Sequence, residues 1–249
     1  ARQPDVMMSP IKELHYWDRR FHPTFFKPRP TANILKRLVK NAGDEVLAEP
    51  EFERVAMDRD EAYYLAYFRA RLRPHHRVIG EITPSYSILT AEEFRYIRDF
   101  LPFPARVVFL MRDPVERIWS QCKMQAKKAS GRGGTGDAYV LFSKALARWK
   151  YQKRSDYQAT VENLKQAFPD GELFFSFYES LFRQEEIDRL AAFLGMEKLD
   201  FDFAANPNKG ADLDRPAAGE WNQVRDRFSD LYSFVQKEFG DQVPDAWRA

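Results

Sequence analysis

The stretch RVVFLMRDPVERIWSQCKM, residues 106–124, decides the fold. Its apolar run Val107–Met111 predicts a strand that is covered on both faces in a parallel sheet. Asp113 then suits a helix N-cap and Pro114 the first helical position. Helical spacing predicts one buried stripe, formed by Val115, Ile118, Trp119, Cys122 and Ala126. Because Arg112 stands between the strand's carboxyl end and the helix N-terminus, where ligands of open α/β sheets bind, the stretch predicts an anion site.

Composition sets the class of protein. With 249 residues, 31% charged and 44% hydrophobic, the chain is typical of a globular protein, and we predict one domain over residues 1–249. A net charge of +2 is too small to indicate a nucleic-acid partner. One cysteine, Cys122, excludes an internal disulfide framework. No membrane span or signal peptide is visible, so we expect a cytoplasmic protein, and the oligomeric state stays open.

Strand and helix patterns alternate along the chain and predict an α/β fold with a mainly parallel sheet flanked by helices. The predicted strands cover residues 6–8, 78–80, 107–111 and 173–177. The predicted helices cover residues 33–41, 58–72, 91–101, 137–150, 155–168, 185–194 and 220–239, besides the one that starts at Pro114. We expect no metal site, because adjacent His75 and His76 diverge and no third ligand follows at a recognisable spacing.

Ionisable residues crowd the segment SPIKELHYWD, residues 9–18. Lys12, Glu13 and His15 place an ammonium, a carboxylate and an imidazole within four residues, which are the groups that acid–base chemistry uses. The alternative is a surface turn with solvated charges, anchored by Tyr16 and Trp17.

Four ordered segments give the chain a family resemblance. They are KELHYWD at residues 12–18, GEITPSY at 80–86, RDPVERIWS at 112–120, and FYESL at 177–181 with FLG at 193–195. These segments are similar, in order, to the patterns KE-x-H-[FY]-[FW]-D, GE-K-[ST]-P-x-Y, R-D-P-x-x-R-x-x-S, and Y-E-x-L with F-L-G. On these segments the chain resembles sulfotransferases that use 3′-phosphoadenosine 5′-phosphosulfate (PAPS), in the branch of heparan-type and many bacterial enzymes. The resemblance implies a P-loop-NTPase-like sulfotransferase fold.

The resemblance implies a nucleotide site. Arg112 and Ser120 would hold the 3′-phosphate; the alternatives are an ion pair for the arginine and an exposed polar position for the serine. Lys209 and Gly210 would cover the nucleotide, or form a plain surface turn. Tyr157 would have a nucleotide-side role, or be a packing aromatic at a helix start.

The resemblance also implies the chemistry. Glu13 would be the general base that takes a proton from an acceptor hydroxyl or amine as it attacks sulfur, with adenosine 3′,5′-bisphosphate (PAP) leaving and no metal required. Lys12 and His15 would assist. Glu81, Thr83 and Tyr86 would lie on the acceptor side, although packing or a salt bridge explains Glu81 equally well. The acceptor would be a carbohydrate or a small natural product.

Two departures from the family pattern matter. Family members carry a loop resembling K-x-G-T-[ST] before the KE segment, whereas this chain begins at Ala1, beyond that loop. We expect a native N-terminal segment that carries it; otherwise the protein binds nucleotide poorly or is a catalytically inactive binding protein. Ile82 replaces a frequent lysine of the second segment. A phosphoryl-transfer enzyme of similar fold is disfavoured, since neither a Walker lysine nor a magnesium-binding aspartate pair is present.

Overall fold

A computed structural model describes residues 3–26, 50–130, 136–145, 149–197, 203 and 214–248. The chain divides into two compact units, residues 1–89 and 90–249. That these units form a single domain stays a prediction. The predicted helix over residues 33–41 lies outside the described residues.

The first unit contains a parallel strand pair. Strand β1, Val6–Met8, pairs with β2, Val78–Gly80, and Val6 stands opposite Val78, as predicted for both segments. The predicted helix over residues 58–72 is wrong in its bounds, because the carboxylate of Asp60 accepts the N–H of Ala62 at 2.9 Å and a new helix starts there. The unit's helices are α1, Trp17–Phe21; α2, Pro50–Arg59; and α3, Ala62–Arg69, with a 3-10 helix at Pro84–Ile88.

Aromatic packing fixes the start of α1 in this unit. The rings of Tyr16 and Tyr64 stack with their centroids 4.7 Å apart, and Trp17 meets Tyr64 edge-on at 5.0 Å. Leu14 is fully buried beside them. Burial of three large side chains along four residues gives the segment a defined position, and Tyr16 and Trp17 anchor it as the surface-turn alternative also predicts.

The second unit is built on the opening stretch. Strand β3, Val107–Met111, pairs in parallel with β4, Leu173–Phe177, at the predicted bounds. The prediction that β3 is covered on both faces is wrong, because Leu110 is 41% exposed. Successive side chains of a strand point to opposite faces; Phe109 and Met111 face the core, and Leu110 lies on the other side.

Eight described helices belong to this unit. They are α4, Ala91–Phe100; α5, Pro114–Ser130; α6, Ala138–Ser143; α7, Trp149–Lys153; α8, Tyr157–Ala167; α9, Gln184–Leu194; α10, Ala218–Asp226; and α11, Ser229–Phe239. The predicted stripe of α5 is buried, including Cys122. Gly195 ends α9 with a left-handed φ of 69°, as its position after the apolar pattern predicts.

Three helix predictions for this unit need correction. The terminal helix divides at Phe228, whose N–H turns back to the carbonyl of Arg225 at 2.8 Å while its ring enters the core. The predicted helix over residues 137–150 ends at Ser143 in α6, and α7 begins at Trp149. The predicted helix over residues 155–168 begins later, at Tyr157 in α8, because Asp156 is its cap and accepts the N–H of Ala159 at 3.2 Å. Throughout the described ranges, no helix combines the length and apolarity that a membrane crossing needs.

Candidate functional site

Three ionisable side chains of the first unit form one cluster. The Nε2 of His15 lies 3.1 Å from Oε2 of Glu13, and its Nδ1 lies 2.7 Å from Oδ2 of Asp18. His15 adopts a left-handed φ of 54°, a backbone conformation that non-glycine residues rarely hold and that recurs at functional sites. The imidazole therefore bridges two carboxylates, one half-exposed and one fully buried.

Other groups hold the cluster in place. Arg54 donates to the backbone carbonyl of Glu13 at 2.7 Å, and Ser85 donates to Oδ2 of Asp18. Oδ1 of Asp18 is buried and has no hydrogen-bond partner within the described ranges. The ring of Phe26 covers His15 at 5.7 Å between centroids. Glu13 keeps a side-chain exposure of 33%, so it is the carboxylate of the cluster that solvent reaches.

Electrostatics favour the charged form of His15. Burial alone would lower the pKa of His15, but the hydrogen bonds to Asp18 and Glu13 outweigh it and raise the pKa above 6.5. An imidazole held between two carboxylates can accept and return protons. Lys12, the third predicted catalytic residue, is exposed.

The three predicted acceptor-side residues make hydrogen bonds with one another. Oε1 of Glu81 accepts from Tyr64 at 2.8 Å and Tyr86 at 2.9 Å, while Oε2 accepts from Thr83 at 2.8 Å. Burial raises the pKa of Glu81, and the three hydroxyl donors only partly oppose it. Because this carboxylate is engaged by side chains of its own unit, its geometry fits the packing alternative.

Tyr86 joins this network to the acid–base segment. Its hydroxyl accepts weakly from the N–H groups of Tyr16 and Trp17, at 3.3 and 3.4 Å, at the start of α1. Burial, followed by the nearby Glu81 carboxylate, raises the pKa of Tyr86 well above its usual value, so the phenol stays neutral. The network therefore positions the backbone at Tyr16 and Trp17, which lies between His15 and Asp18. A direct acceptor contact by Glu81, Thr83 or Tyr86 stays a prediction.

In the second unit, Arg112 follows β3 with its guanidinium above the ring of Tyr178, 4.8 Å from the centroid. A carboxylate oxygen of Glu116 lies 3.8 Å away, which is an ion pair of the kind that the alternative for Arg112 predicts, although it is too long for a hydrogen bond. Among the described residues, none accepts a hydrogen bond from this guanidinium. Its N–H donors can therefore receive an anion such as phosphate, in the fork geometry that arginine offers.

The amides at the start of α5 are already satisfied. Oδ1 of Asp113 accepts from the N–H groups of Val115 at 2.9 Å and Glu116 at 3.0 Å, so the predicted N-cap is present. Its Oδ2 accepts from Tyr232 at 2.8 Å. The expectation that the helix N-terminus itself attracts the anion is therefore corrected, because the capping carboxylate occupies its amides and brings negative charge there.

Side chains along α5 offer the remaining contacts. Glu116 and Ser120 are four residues apart and share one face of α5, and Arg112 precedes the helix with its guanidinium 3.8 Å from Glu116. Glu116 also pairs with Arg215, which lies over the ring of Trp221 at 5.0 Å. Ser120 is half-buried. Two arginines thus stand beside Glu116, on the helix face that carries Ser120.

Tyr157 is placed as a packing residue. It is buried, its hydroxyl donates to the backbone carbonyl of Arg112 at 2.7 Å, and its ring lies 5.8 Å from that of Phe109. Burial raises the pKa of Tyr157 to about 12. This geometry fits the packing alternative, and a direct nucleotide contact stays a prediction. Lys209 and Gly210 lie outside the described residues.

Sequence reasoning missed four contributors to these clusters. Asp18 closes the KE segment and was not given a role, although its spacing of three residues from His15 on a helix start was a usable signal. Tyr232 lies in the predicted helix over residues 220–239, and the sequence pattern assigns it no role at the site. No sequence signal singles out Ser85 or Arg215, because both act through contacts across 67 and 99 residues of chain.

Comparison with solved structures gives the fold. The chain overlays a sulfotransferase from Alicyclobacillus acidocaldarius with a TM-score of 0.69 and 20% identity, covering 99% of this chain and 90% of that one. A sulfotransferase domain from the Synechococcus PCC 7002 olefin synthase gives a TM-score of 0.35 and 16% identity, covering 92% and 96%. Neither a protein-family model nor a curated relative matches. The predicted α/β sulfotransferase fold is confirmed.

Proposed function

We propose that the chain is a sulfotransferase, which moves a sulfuryl group from PAPS to a hydroxyl or amine of a carbohydrate or small natural product. The observation that carries the proposal is the His15 bridge between Glu13 and Asp18, on a chain whose fold is that of sulfotransferases. The cluster supplies a solvent-reachable carboxylate with an imidazole behind it, which is what proton removal from an acceptor needs.

The second unit supplies groups that fit a phosphorylated nucleotide. Within the described part of the chain, no residue accepts a hydrogen bond from the Arg112 guanidinium, which pairs with Glu116 only at 3.8 Å. Ser120 lies on α5, and Arg215 pairs with Glu116 of the same helix. PAPS, when bound, would supply the sulfuryl group and a leaving phosphate. The chain's own part is to hold the phosphate groups by charge and to remove one proton, so most of the rate acceleration comes from positioning and electrostatic stabilisation.

Binding of PAP tests the nucleotide half of the proposal. Isothermal titration should show that Arg112→Ala weakens PAP binding about 10- to 100-fold, because charge-assisted hydrogen bonds are worth about 1.5–3 kcal/mol each. Arg95→Ala, which removes an exposed arginine from α4 in the same unit, is the matched control and should bind like wild type. Equal affinities for all three proteins would refute the assignment of Arg112.

Transfer of labelled sulfate from PAPS tests the chemistry. With a heparan-type polysaccharide and a panel of small alcohols and phenols as acceptors, Glu13→Gln should lower the rate roughly 100-fold or more while PAP binding persists. Glu92→Gln, an exposed position at the start of α4, is the matched control. PAP binding without transfer to any acceptor would favour a catalytically inactive binding protein instead.

A further inference from the structure

Ser85 is a buried hydroxyl to which the proposed chemistry assigns no task. It lies in the 3-10 helix Pro84–Ile88 and is completely buried. Its Oγ donates to Oδ2 of Asp18 and stands 3.1 Å from Nδ1 of His15. A buried serine placed against both members of an imidazole–carboxylate pair constrains how the proton between them is shared.

The contacts define which side of the imidazole faces which carboxylate. Oδ2 of Asp18 receives the Ser85 hydroxyl and the Nδ1 side of His15, so this oxygen is fixed by two neighbours. Nε2 of the same ring faces Glu13 at 3.1 Å. A neutral imidazole carries one proton, and its position depends on the hydrogen bond made by the other nitrogen.

An Nδ1 proton is the arrangement that the buried carboxylate favours. Both carboxylates only accept hydrogen bonds, but Nδ1 lies 2.7 Å from the fully buried Asp18, whereas Nε2 lies 3.1 Å from the more exposed Glu13. A neutral His15 is therefore best held with Nδ1–H donating to Asp18. Nε2 then presents a lone pair to Glu13. A protonated Glu13 could pass its proton to that lone pair and return to the carboxylate form.

We propose that Ser85 is a positioning residue, which acts through Asp18 to keep the proton of neutral His15 on Nδ1 and so leaves Nε2 ready to take the acceptor's proton from Glu13. This inference rests on the proposed function. The acceptor O–H or N–H bond breaks as the Glu13 O–H bond forms; that bond then breaks as Nε2–H forms, and His15 becomes an imidazolium beside the unprotonated Asp18. One proton moves, and no oxidant or metal is involved.

The groups around His15 set the expected effect of removing the hydroxyl. Glu13 and Asp18 face it from its own segment, Ser85 faces it from the 3-10 helix, and Phe26 covers the ring. Ser85→Ala takes one donor from Asp18, so more of that charge must be balanced by the imidazolium. The pKa of His15 should therefore rise by roughly half a unit or more. The neutral ring should also lose its single tautomer, because Oδ2 of Asp18 is no longer fixed against Nδ1 by the Ser85 hydroxyl.

Nitrogen NMR of the full chain, with labelled histidine, measures both properties without nucleotide. The chain has four histidines, and a His15→Gln spectrum assigns the signal. In wild type we expect the Nδ1–H tautomer at high pH. Thr160→Val, which removes a buried hydroxyl bonded to the carbonyl of Asp156 at 2.9 Å, is the matched control and should leave the His15 titration unchanged.

Two results would overturn the proposal. One is a neutral wild-type His15 with its proton on Nε2, and the other is a folded Ser85→Ala protein with an unaltered pKa and tautomer. If Ser85→Ala does not fold, Ser85→Cys can replace it, because it has a similar size and a weaker hydrogen-bond donor. The tautomer of neutral His15 in the wild-type protein tests the proposal in either case. Because neither measurement uses PAP or PAPS, their failure is distinct from failure of nucleotide binding or sulfate transfer.

Discussion

Replacing Glu81 with alanine should destabilise the first unit strongly, and this change separates a structural role for Glu81 from a direct contact with the acceptor. Glu81 accepts three hydrogen bonds, from Tyr64, Thr83 and Tyr86, at 2.8–2.9 Å. Alanine leaves all three hydroxyls without this acceptor. The Tyr86 hydroxyl, which accepts from the backbone N–H groups at the start of α1, then loses the carboxylate to which it donates.

The magnitude follows from these contacts. A buried hydrogen-bonding group that loses its partner costs about 1–3 kcal/mol, and neighbouring losses add incompletely. We therefore expect Glu81→Ala to lower the free energy of unfolding by about 3–5 kcal/mol. Glu81→Gln retains the size and one carbonyl acceptor for the two tyrosines, while its amide can donate to Thr83. This matched variant should cost only about 1 kcal/mol.

Urea unfolding gives the stabilities, and hydrogen exchange followed by mass spectrometry locates the change. Protection should fall in peptides that cover residues 12–20 and 78–88 while β3 and β4 keep theirs. The reasoning is refuted if Glu81→Ala and Glu81→Gln have equal stabilities within about 1 kcal/mol of wild type. A rise in the acceptor KM with unchanged stability would indicate instead that Glu81 contacts the acceptor directly.

Three further predictions concern single contacts. Burial raises the pKa of Glu81 in the folded state, so the stability that this shift contributes is present below the unfolded pKa and is lost as pH rises through the folded pKa. Urea unfolding between pH 7 and pH 4 should therefore show that the free energy of unfolding of wild type increases relative to that of Glu81→Gln as the pH falls. A difference that stays constant with pH would contradict this. Asp113→Ala removes the α5 cap and the partner of Tyr232, and should cost about 2–3 kcal/mol in urea unfolding; a loss below about 1 kcal/mol would contradict the geometry. Gly195→Ala forces a side chain into a left-handed φ of 69°, so unfolding should show a loss of about 1 kcal/mol, and no loss would mean that the turn rearranges.

Local patterns were enough to predict much of the framework. The β3 strand, the Asp113 cap and the buried stripe of α5 all follow from residues within one or two turns of one another. The stop at Gly195 is equally local. Such features depend on hydrogen-bond partners for the backbone N–H and C=O groups and on the spacing of apolar side chains. Both are determined by residues that are close together in the sequence.

Helix breaks and surface coverage could not be predicted in the same way. The terminal helix divides at Phe228, whose N–H bonds to the carbonyl of Arg225, although the apolar pattern of the sequence is continuous through it. Leu110 is exposed although it sits in an unbroken apolar run. In both cases the outcome depends on which partners surround the segment, which is a tertiary property.

At the candidate site, too, the sequence predicts relations between nearby residues but not contacts between distant segments. The sequence by itself determined that Glu13 and His15 stand together and that Arg112 follows a strand, because these relations span only a few residues. Only the tertiary structure decided that Ser85 reaches Asp18, that Glu81 is engaged by its own unit, and that Asp113 occupies the helix amides expected to attract an anion. Hydrogen bonds between side chains depend on ångström-scale placement of distant segments, and residue type and spacing do not specify that placement.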